Sequence, residues 1–560
     1  MTPSGKIEVP MPPLDRQTLI VAGVSIAISA YIALVFAYLR SDIQNPFNVP
    51  VFRHLIFYQD YYALLPFIGI LALALLAPVR ALGVQAASFC GRHVRVAALA
   101  VTAALAVGTQ AVYHNHPLSM DEYALVYQST IFSEGHLTGQ FPTALLDWLA
   151  PPWQHTRFIR MSAETGATVS GYWPGMSLLL TPFTALGIPW LLNPLIGGAT
   201  ILVMHRLALA VFDDVESAGY VVLLTVASPA VTINALSYYS MPAHLLANAV
   251  FALLLLRPTP GRALLAGLAG SVALVLHNPP PHILFALPWM VWLACRSDRV
   301  RILGALGAGY LPLCLVLGWG WAYFLESQAS ASAALGTLAT PTAAAEMLMG
   351  RIRGFVGWKS DTGSGGQLYS LAKLWVWAVP GLLLVAALGA WRLRKEKGYW
   401  LAMIGSALLT YFAYFLVRFD QGHGWGFRYF HSAWLVLPLL AVAALPMNGA
   451  RAALRGYLGG CAVLGLAILT TLYALQVEHF IQRHLSQVPT AAGGSARVVI
   501  LNRGYYTWDL AQNDPYLRNE PIRLYTKNPQ LDLEMMGKNF PQYQLLHSDR
   551  RGSVWGVAQP

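Results

Sequence analysis

The chain has 560 residues, of which 56% are hydrophobic and only 11% are charged, and its formal net charge is +11. Soluble proteins carry about a quarter charged residues, so this composition indicates a membrane protein with one polytopic domain and a tail. The positive charge does not point to nucleic-acid binding, because the basic residues lie in short loops between apolar segments, where membrane orientation explains them.

The N-terminal apolar run, residues 18–39, is not followed by a small-residue cleavage site, which predicts a retained first helix and not a signal peptide. The four cysteines lie in or beside apolar segments with no Cys-x-x-Cys spacing, so neither a disulfide framework nor a zinc site is expected.

Apolar runs near the spanning length of about 20 residues predict about thirteen transmembrane helices. The two runs that flank "HNPPPH" are short, and a re-entrant pair is the alternative there. The apolar runs are almost free of charge. The thirteen runs are 18–39, 61–79, 96–112, 190–211, 217–235, 240–256, 262–277, 281–296, 302–324, 371–391, 398–417, 430–447 and 457–475.

Alternate short loops are rich in arginine and lysine, which predicts that these loops and the N-terminus are cytoplasmic. The opposite, outer face receives three long segments, 114–190, 326–370 and the tail from 476. Long loops in compact proteins are usually functional, so we expect the active region on the outer face, which is the periplasm if the source is a Gram-negative bacterium.

The predicted domains follow from this pattern. Residues 1–95 form an N-terminal extension with two transmembrane helices, and residues 96–475 form the transmembrane catalytic domain, with outer loops at 113–190 and 326–370. Residues 476–560 contain a strand signal in "ARVVIL" and a terminal hairpin signal in "YQLLHSDRRGSVWGV", which predict a small α+β domain outside the membrane.

Two adjacent carboxylates, Asp121 and Glu122, stand in the first outer loop within "HPLSMDEYALVYQSTIFSEGHL". Ser119 followed three residues later by Glu122 predicts a capping box at a helix start, and this structural reading accounts for Glu122. Asp121 then points about 100° away around the helix and has no local partner. A free carboxylate beside the membrane surface is available as a base.

These segments resemble the lipid-carrier-dependent glycosyltransferases of the GT-C fold, loosely family 39-like. The protein O-mannosyltransferases and the lipid A aminoarabinose transferases also have an Asp-Glu pair early in the first outer loop. A Tyr-x-Pro-Gly segment, here Tyr172 to Gly175, then leads into a juxtamembrane helix. Later similarities lie in "LVLHNPPPHILFALPW" and "GWGFRYFHSAWLVLPLL", and the resemblance covers roughly residues 96–447.

The sequence departs from the family pattern at two places. Two apolar runs precede the helix that usually introduces the catalytic loop. His277-Asn278-Pro279 stands where many members have Arg-Pro, which puts a phosphate role at that position in doubt.

The resemblance implies an inverting sugar transfer from a polyprenyl-phosphate carrier to an acceptor on the outer face, by a hexosyl- or pentosyltransferase. Asp121 is then the candidate base, and Glu122 positions the acceptor or the loop. The departing phosphate needs fixed cations on the same side of the membrane. The candidates are Arg157, Arg160, Arg353, Lys359 and Arg428.

Each cation also has a structural interpretation. Arg157 and Arg160 suit solvated loop residues or ligands of lipid headgroups, and Lys359 lies in the glycine-rich "KSDTGSGGQ", which is typical of a closing loop or of a linker. Arg428 has Asp420 eight residues before it as a candidate ion-pair partner.

The predicted cavity lies between the two outer loops. It is lined by Tyr123, Tyr172, Trp173, His277 and Tyr429, although Tyr172 and Trp173 also suit the aromatic belt of a membrane interface. No cofactor is required. A divalent metal is not indicated, because the outer-loop histidines lack helix-face spacing, and His116 and His155 are weak candidates.

The expected partners are a polyprenyl-phosphate sugar, an acceptor that is lipid A, another glycan or a protein hydroxyl, and the lipid bilayer. A bacterial inner membrane is the expected location. The alternative from another class is a transporter or flippase of a lipid-linked saccharide that performs no chemistry, and a polymerase or ligase of lipid-linked glycans is the alternative among enzymes.

Overall fold

A computed structural model describes residues 13–41, 51–150, 158–329, 365–396, 398–417, 421, 423–445, 452–490, 495–504 and 507–557. The helices of these residues are numbered here in chain order. They are α1 Arg16–Ser41, α2 Val51–Leu55, α3 Tyr61–Leu73, α4 Ala77–Arg92, α5 Val94–Ala111, α6 Met120–Ser133, α7 Leu146–Leu149, α8 Gly175–Ala185, α9 Leu192–Phe212, α10 Val215–Val226, α11 Pro229–Thr232, α12 Met241–Leu255, α13 Pro260–Val275, α14 Pro280–Ala294, α15 Arg299–Leu313, α16 Trp321–Ala329, α17 Gly365–Val376, α18 Leu382–Leu393, α19 Tyr399–Ala413, α20 Val436–Ala443, α21 Ala452–Leu464, α22 Thr471–Leu485 and α23 Pro529–Asn539.

Within the described residues, seven helical segments are long and apolar enough to cross a membrane, or eight if a bent pair counts as one span. The thirteen predicted spans are therefore not confirmed. Five further apolar helices, among them α12, α13 and α14, are shorter. The seven segments are Arg16–Tyr38, Ile56–Leu73, Val94–Ala111, Pro189–Phe212, Arg299–Leu325, Tyr399–Leu416 and Ala453–Leu485.

Proline and glycine break several of the apolar runs. The run 217–235 bends by 64° between Val215–Val226 and Pro229–Leu236. The run 371–391 is divided between α17 and α18, because Pro380 precedes Gly381, whose φ of +84° does not continue a helix. Hydropathy alone does not register such breaks.

The first outer loop contains α6, α7, α8 and a small antiparallel sheet. Its strands are β1 Gly139–Gln140, β2 Ile159–Met161 and β3 Ala167–Ser170, in the order β1-β3-β2. Helix α6 packs against α8, and Tyr127 of α6 hydrogen-bonds through its hydroxyl to Thr168 of β3 at 2.5 Å. The loop is thus folded, and its helix α8 packs on α9 and α13 of the helical core.

The C-terminal strands and α23 form a four-stranded unit, here called the C-terminal sheet. Strands β4 Ala496–Leu501, β5 Ile522–Tyr525, β6 Gln544–Asp549 and β7 Gly552–Gly556 have the order β5-β4-β7-β6, with only the β4–β5 pair parallel. Tyr123, Tyr127 and Ile131 of α6 share a hydrophobic cluster with Val498 and Ile500 of β4. The C-terminal sheet therefore packs directly on α6.

A buried ion pair joins the N-terminal helices to the main helical core. Nζ of Lys373 lies 2.6 Å from Oδ2 of Asp60, and both side chains are fully buried. Nε1 of Trp377 donates a hydrogen bond to Oδ1 of Asp60 at 2.6 Å. Lys373 lies in the predicted run 371–391, and Asp60 lies in the Ile56–Leu73 segment of the structure, just before the predicted run 61–79. This pair is therefore an exception to the expectation that the apolar runs are almost free of charge.

Replacement of Lys373 by Met is expected to lower the free energy of unfolding by about 3–5 kcal/mol, because it leaves the Asp60 carboxylate buried without its cation. Thermal unfolding in detergent measures this change. The double variant Asp60→Asn/Lys373→Met should recover much of the loss. The control with little effect is Arg518→Ala, which removes the exposed ion pairs of Arg518 with Glu134 and Asp514. A Lys373→Met protein as stable as the wild type would contradict the prediction.

Candidate active site

Glu122 forms the capping box that the sequence predicts at the start of α6. Its Oε2 accepts hydrogen bonds from the backbone N–H groups of Leu118 and Ser119 at 3.1 and 3.2 Å. Its Oε1 accepts from the backbone N–H of Tyr238 at 2.9 Å. Glu122 is fully buried. It therefore fastens the start of α6 to the segment that leads into α12.

Asp121 points elsewhere and meets two residues that are distant in the sequence. Its Oδ1 accepts a hydrogen bond from the hydroxyl of Tyr172. Its Oδ2 lies 2.8 Å from Nη1 of Arg428, 307 residues further along the chain. The side chains of Asp121 and Arg428 are 19% and 16% exposed, so this ion pair is largely shielded from water but remains accessible.

The two carboxyl groups have pKa values shifted in opposite directions. Burial by itself would raise the pKa of Asp121, but Arg428, His277 and the Tyr172 hydroxyl outweigh it and hold this pKa at about 2. Burial raises the pKa of Glu122 to about 8, although the hydrogen bonds that Glu122 accepts oppose the shift. Because the two pKa values are shifted apart, Asp121 is the ionised carboxylate and Glu122 is the carboxyl group that holds a proton more tightly.

The loop before Arg428 presents this side chain to Asp121. Gln421 accepts a hydrogen bond from the Arg428 backbone N–H at 3.0 Å through Oε1, and donates to the Gly426 carbonyl at 2.8 Å. Gly424 has a φ of +128°, and a Cβ atom there would lie 2.8 Å from Cδ of Arg428. The partner suggested by the sequence, Asp420, lies outside the described residues.

Aromatic rings surround the ion pair. Cζ of Arg428 lies 5.3 Å from the centre of the Tyr239 ring and 5.8 Å from that of Tyr429, within cation–π range. The ring of His277 lies against Tyr172, with 3.8 Å between the ring centres. Nδ1 of His277 is buried and has no hydrogen-bond partner among the described residues. His277 therefore belongs to the site through its contact with Tyr172, the residue that hydrogen-bonds to Asp121.

The "YWPG" segment is held against the end of α13. The backbone N–H of Trp173 donates to the carbonyl of His277 at 3.1 Å. A Cβ atom at Gly175 would lie 2.6 Å from the carbonyl oxygen of Val275, so glycine permits this close approach of α8 to α13. This contact fixes the position from which Tyr172 reaches Asp121.

The structure also shows where the other predicted site residues lie. The Tyr123 hydroxyl accepts a hydrogen bond from the backbone N–H of Asn513 at 2.8 Å, so this side chain faces the C-terminal sheet. Arg160 lies in β2, opposite Val169. Tyr429 stacks on Tyr414 with 4.5 Å between ring centres. The remaining candidates, Arg157, Arg353, Lys359 and His155, lie outside the described residues.

The metal candidate His116 lies in a cationic environment. Burial, followed by the charges of Arg523 and His114, lowers its pKa to about 4, which indicates a neutral imidazole. Within the described ranges, no group of three or more His, Cys, Asp or Glu side chains could hold a metal ion.

Three residues at the site were not candidates in the sequence analysis. The Tyr239 hydroxyl lies 2.9 Å from Oγ of Ser119, beside the ring contact with Arg428, and the backbone of Tyr238 holds Glu122. Asp509 of the C-terminal segment accepts a hydrogen bond from the Met120 N–H. The adjacent tyrosines in "SYYSMP", just before a helix, were the available signal for the first two; Asp509 carries no local motif.

The fold of the chain is GT-C-like. The chain is similar to the crystal structure of ArnT from Cupriavidus metallidurans bound to undecaprenyl phosphate, with a TM-score of 0.55 and 13% identity over 83% of this chain and 98% of that chain. The apo structure of the same protein matches over the same shares with a TM-score of 0.50. ArnT is a GT-C-fold lipid A aminoarabinose transferase. No protein-family model and no curated protein matches the chain.

Replacement of Glu122 by Gln is expected to destabilise the protein by about 1–3 kcal/mol. Both carboxyl oxygens can accept backbone N–H bonds in either protonation state, whereas the NH₂ group of Gln cannot accept one. Thermal unfolding measures the loss, and Glu134→Gln at the exposed end of α6 is the control. The pKa of Glu122 is raised on folding, so its contribution to stability is full below about pH 4. That contribution falls as the pH rises through about 8. A Glu122→Gln protein with wild-type stability and no activity would assign Glu122 to the chemistry instead of the cap.

Proposed function

We propose that this protein is an integral membrane glycosyltransferase that moves a sugar from a polyprenyl-phosphate-linked donor to an envelope acceptor on the outer face, with inversion. The proposal rests on the contact of Asp121 with Tyr172 and Arg428 at the base of the first outer loop. In this contact, a carboxylate that can act as a base lies beside a cation that can bind the departing phosphate. The likeness to ArnT bound to undecaprenyl phosphate supports the class of donor.

In the proposed reaction, an acceptor hydroxyl attacks the anomeric carbon and transfers its proton to Asp121. The new bond joins the acceptor oxygen to the anomeric carbon, while the bond from that carbon to the phosphate oxygen breaks. The electron pair leaves with the polyprenyl phosphate. A single displacement of this kind inverts the anomeric configuration, and a positioned base contributes about 10²–10⁴-fold to its rate.

Arg428 has two successive partners in this scheme. In the free protein it neutralises Asp121 and keeps the pKa of that carboxyl at about 2, which makes Asp121 a weak base. A donor phosphate competes for the guanidinium, whose remaining N–H groups suit two phosphate oxygens at once. As Arg428 turns toward the phosphate, burial raises the pKa of Asp121 and strengthens the base. Donor binding thereby activates the site.

The other cations complete the proposed phosphate site. Arg157, Arg160, Arg353 and Lys359 remain candidates for contacts to the lipid phosphate, and Tyr172, Trp173, His277 and Tyr429 for the walls of the cavity. The N-terminus is proposed to be cytoplasmic and the C-terminus periplasmic, in a bacterial inner membrane. The acceptor is lipid A, another glycan or a protein hydroxyl.

The second candidate function is a transporter or flippase of a lipid-linked saccharide. The buried Asp60–Lys373 pair favours it, because ionisable groups inside spans often mark a transport pathway. The two charges are directly paired at 2.6 Å and further held by Trp377, which is equally consistent with a structural joint. The Asp121 site supports chemistry more directly.

The test in cells compares envelope glycans of the source organism with and without the gene. Mass spectrometry should detect a species that lacks one glycosyl group in the deletion strain. Wild-type protein should restore it, whereas Asp121→Asn at equal membrane abundance should not. Restoration by Asp121→Asn would contradict the assigned base, and unchanged glycans in the deletion strain would contradict the function.

A further inference from the structure

Asp509 of the C-terminal segment contacts both chain segments that build the site. Its Oδ1 accepts a hydrogen bond from the backbone N–H of Met120, the residue before Asp121, at 3.0 Å. Its Oδ2 lies 3.3 Å from Nε2 of His423, in the loop that carries Arg428. Asp509 is only 2% exposed, so water does not supply substitutes for these contacts.

The contact with Met120 lies at the first turn of α6, where the first N–H groups of a helix have no partner within the helix. A carboxylate there satisfies one of these groups and interacts favourably with the helix dipole. Two neighbouring residues of Asp509 also make contacts with the start of α6. Gln512 donates to the carbonyl of Pro117 at 2.6 Å, and the Asn513 backbone N–H donates to the Tyr123 hydroxyl at 2.8 Å.

The contact with His423 connects Asp509 to the loop that carries Arg428. His423 precedes the bend at Gly424, whose conformation brings Arg428 toward Asp121. Trp425, the next residue of this loop, is fully buried and donates to the Tyr113 hydroxyl at 2.8 Å. The loop is thus anchored on both sides of the bend, by Asp509 before it and by Tyr113 after it.

We propose that Asp509 is a positioning residue that holds the helix of Asp121 and the loop of Arg428 in register, which makes the C-terminal sheet part of the catalytic machinery. The proposal rests on the proposed function for its kinetic consequence. Asp509 does not touch the reacting atoms. Its effect passes through the backbone at Met120 and through His423.

The kinetic test uses purified full-length protein with a polyprenyl-phosphate sugar as donor. Asp509→Ala should lower kcat by about 10-fold to 100-fold with little change in the donor KM, because misplacement by about 1 Å is sufficient for such losses. Asp509→Asn retains an acceptor for the Met120 N–H and should recover most of kcat. Equal losses in Asp509→Ala and Asp509→Asn would overturn the proposal.

The matched control is Asp532→Ala. Asp532 is also a buried carboxylate of the C-terminal segment and holds the first outer loop by accepting from Nε1 of Trp148 at 2.9 Å, but it contacts neither Met120 nor His423. Asp532→Ala should retain near wild-type kcat even if the protein is less stable. A kcat loss equal to that of Asp509→Ala would show that general loosening of the C-terminal sheet is the cause.

A second readout does not depend on activity. Hydrogen–deuterium exchange of the peptide that contains Met120 should accelerate in Asp509→Ala and not in Asp532→Ala. If the wild type transfers no sugar but Met120 shows this response, the proposed function fails and the positioning contact stands. If transfer is observed and the exchange of Met120 is unchanged in Asp509→Ala, the positioning proposal fails alone.

Discussion

Asp121→Asn is expected to abolish sugar transfer while the protein folds and inserts normally. The amide retains the size of the carboxyl and can still accept from Tyr172, but it cannot take a proton from the acceptor hydroxyl, and the expected loss in kcat is about 10²–10⁴-fold. Transfer from a polyprenyl-phosphate sugar in reconstituted membranes measures it. Donor KM should change far less than kcat.

Asp147→Asn is the control for Asp121→Asn. Asp147 lies in the same outer loop and pairs with Lys527 at 2.5 Å, away from Arg428, so its amide variant should transfer sugar normally. Near-normal activity of Asp121→Asn would contradict the assignment of the base.

Arg428→Ala is expected to lower kcat by about 10²–10³-fold, because the developing charge on the phosphate loses a preorganised cation. Arg428→Lys should recover part of the loss, since Lys supplies the charge without the planar fork. Arg518→Ala, which removes an exposed arginine of the turn before β5, is the control and should leave kcat unchanged.

The pH profile gives an independent test of the contact between Arg428 and Asp121. Arg428 depresses the pKa of Asp121 to about 2, so acid should not protonate this base in the free wild-type protein at ordinary assay pH. Without Arg428, burial raises the pKa of Asp121, and the residual kcat/KM, whose pH dependence reports the free enzyme, should fall at a higher pH on the acid side. An acid limb at the same pH in both proteins would contradict the ion pair as the cause of the shift.

Local sequence patterns predicted the local part of the site. The Ser119-x-x-Glu122 capping box is complete within four residues, and helical geometry then separates Asp121 from Glu122. The same sequence could not reveal that Asp121 meets Arg428, because that contact joins positions 307 residues apart. It suggested the nearer Asp420 for Arg428, since spacing along the chain was the available guide.

The fold was predictable in class and less so in detail. Apolar content identified a polytopic membrane protein, but the number of spans depends on breaks such as the one at Gly381, which hydropathy does not record. The sequence did not single out Asp509, because its contact with Met120 depends on how the C-terminal sheet packs on α6. No residue pattern near Asp509 encodes that contact.

The most direct measurement follows labelled polyprenyl-phosphate sugar in proteoliposomes that contain purified protein and an acceptor glycolipid fraction. Each sugar that appears on the acceptor should be matched by one released polyprenyl phosphate, and Asp121→Asn should produce neither. Movement of the intact donor across the bilayer, with no glycosylated product and no released carrier, would contradict the proposed glycosyltransferase activity and identify a transporter.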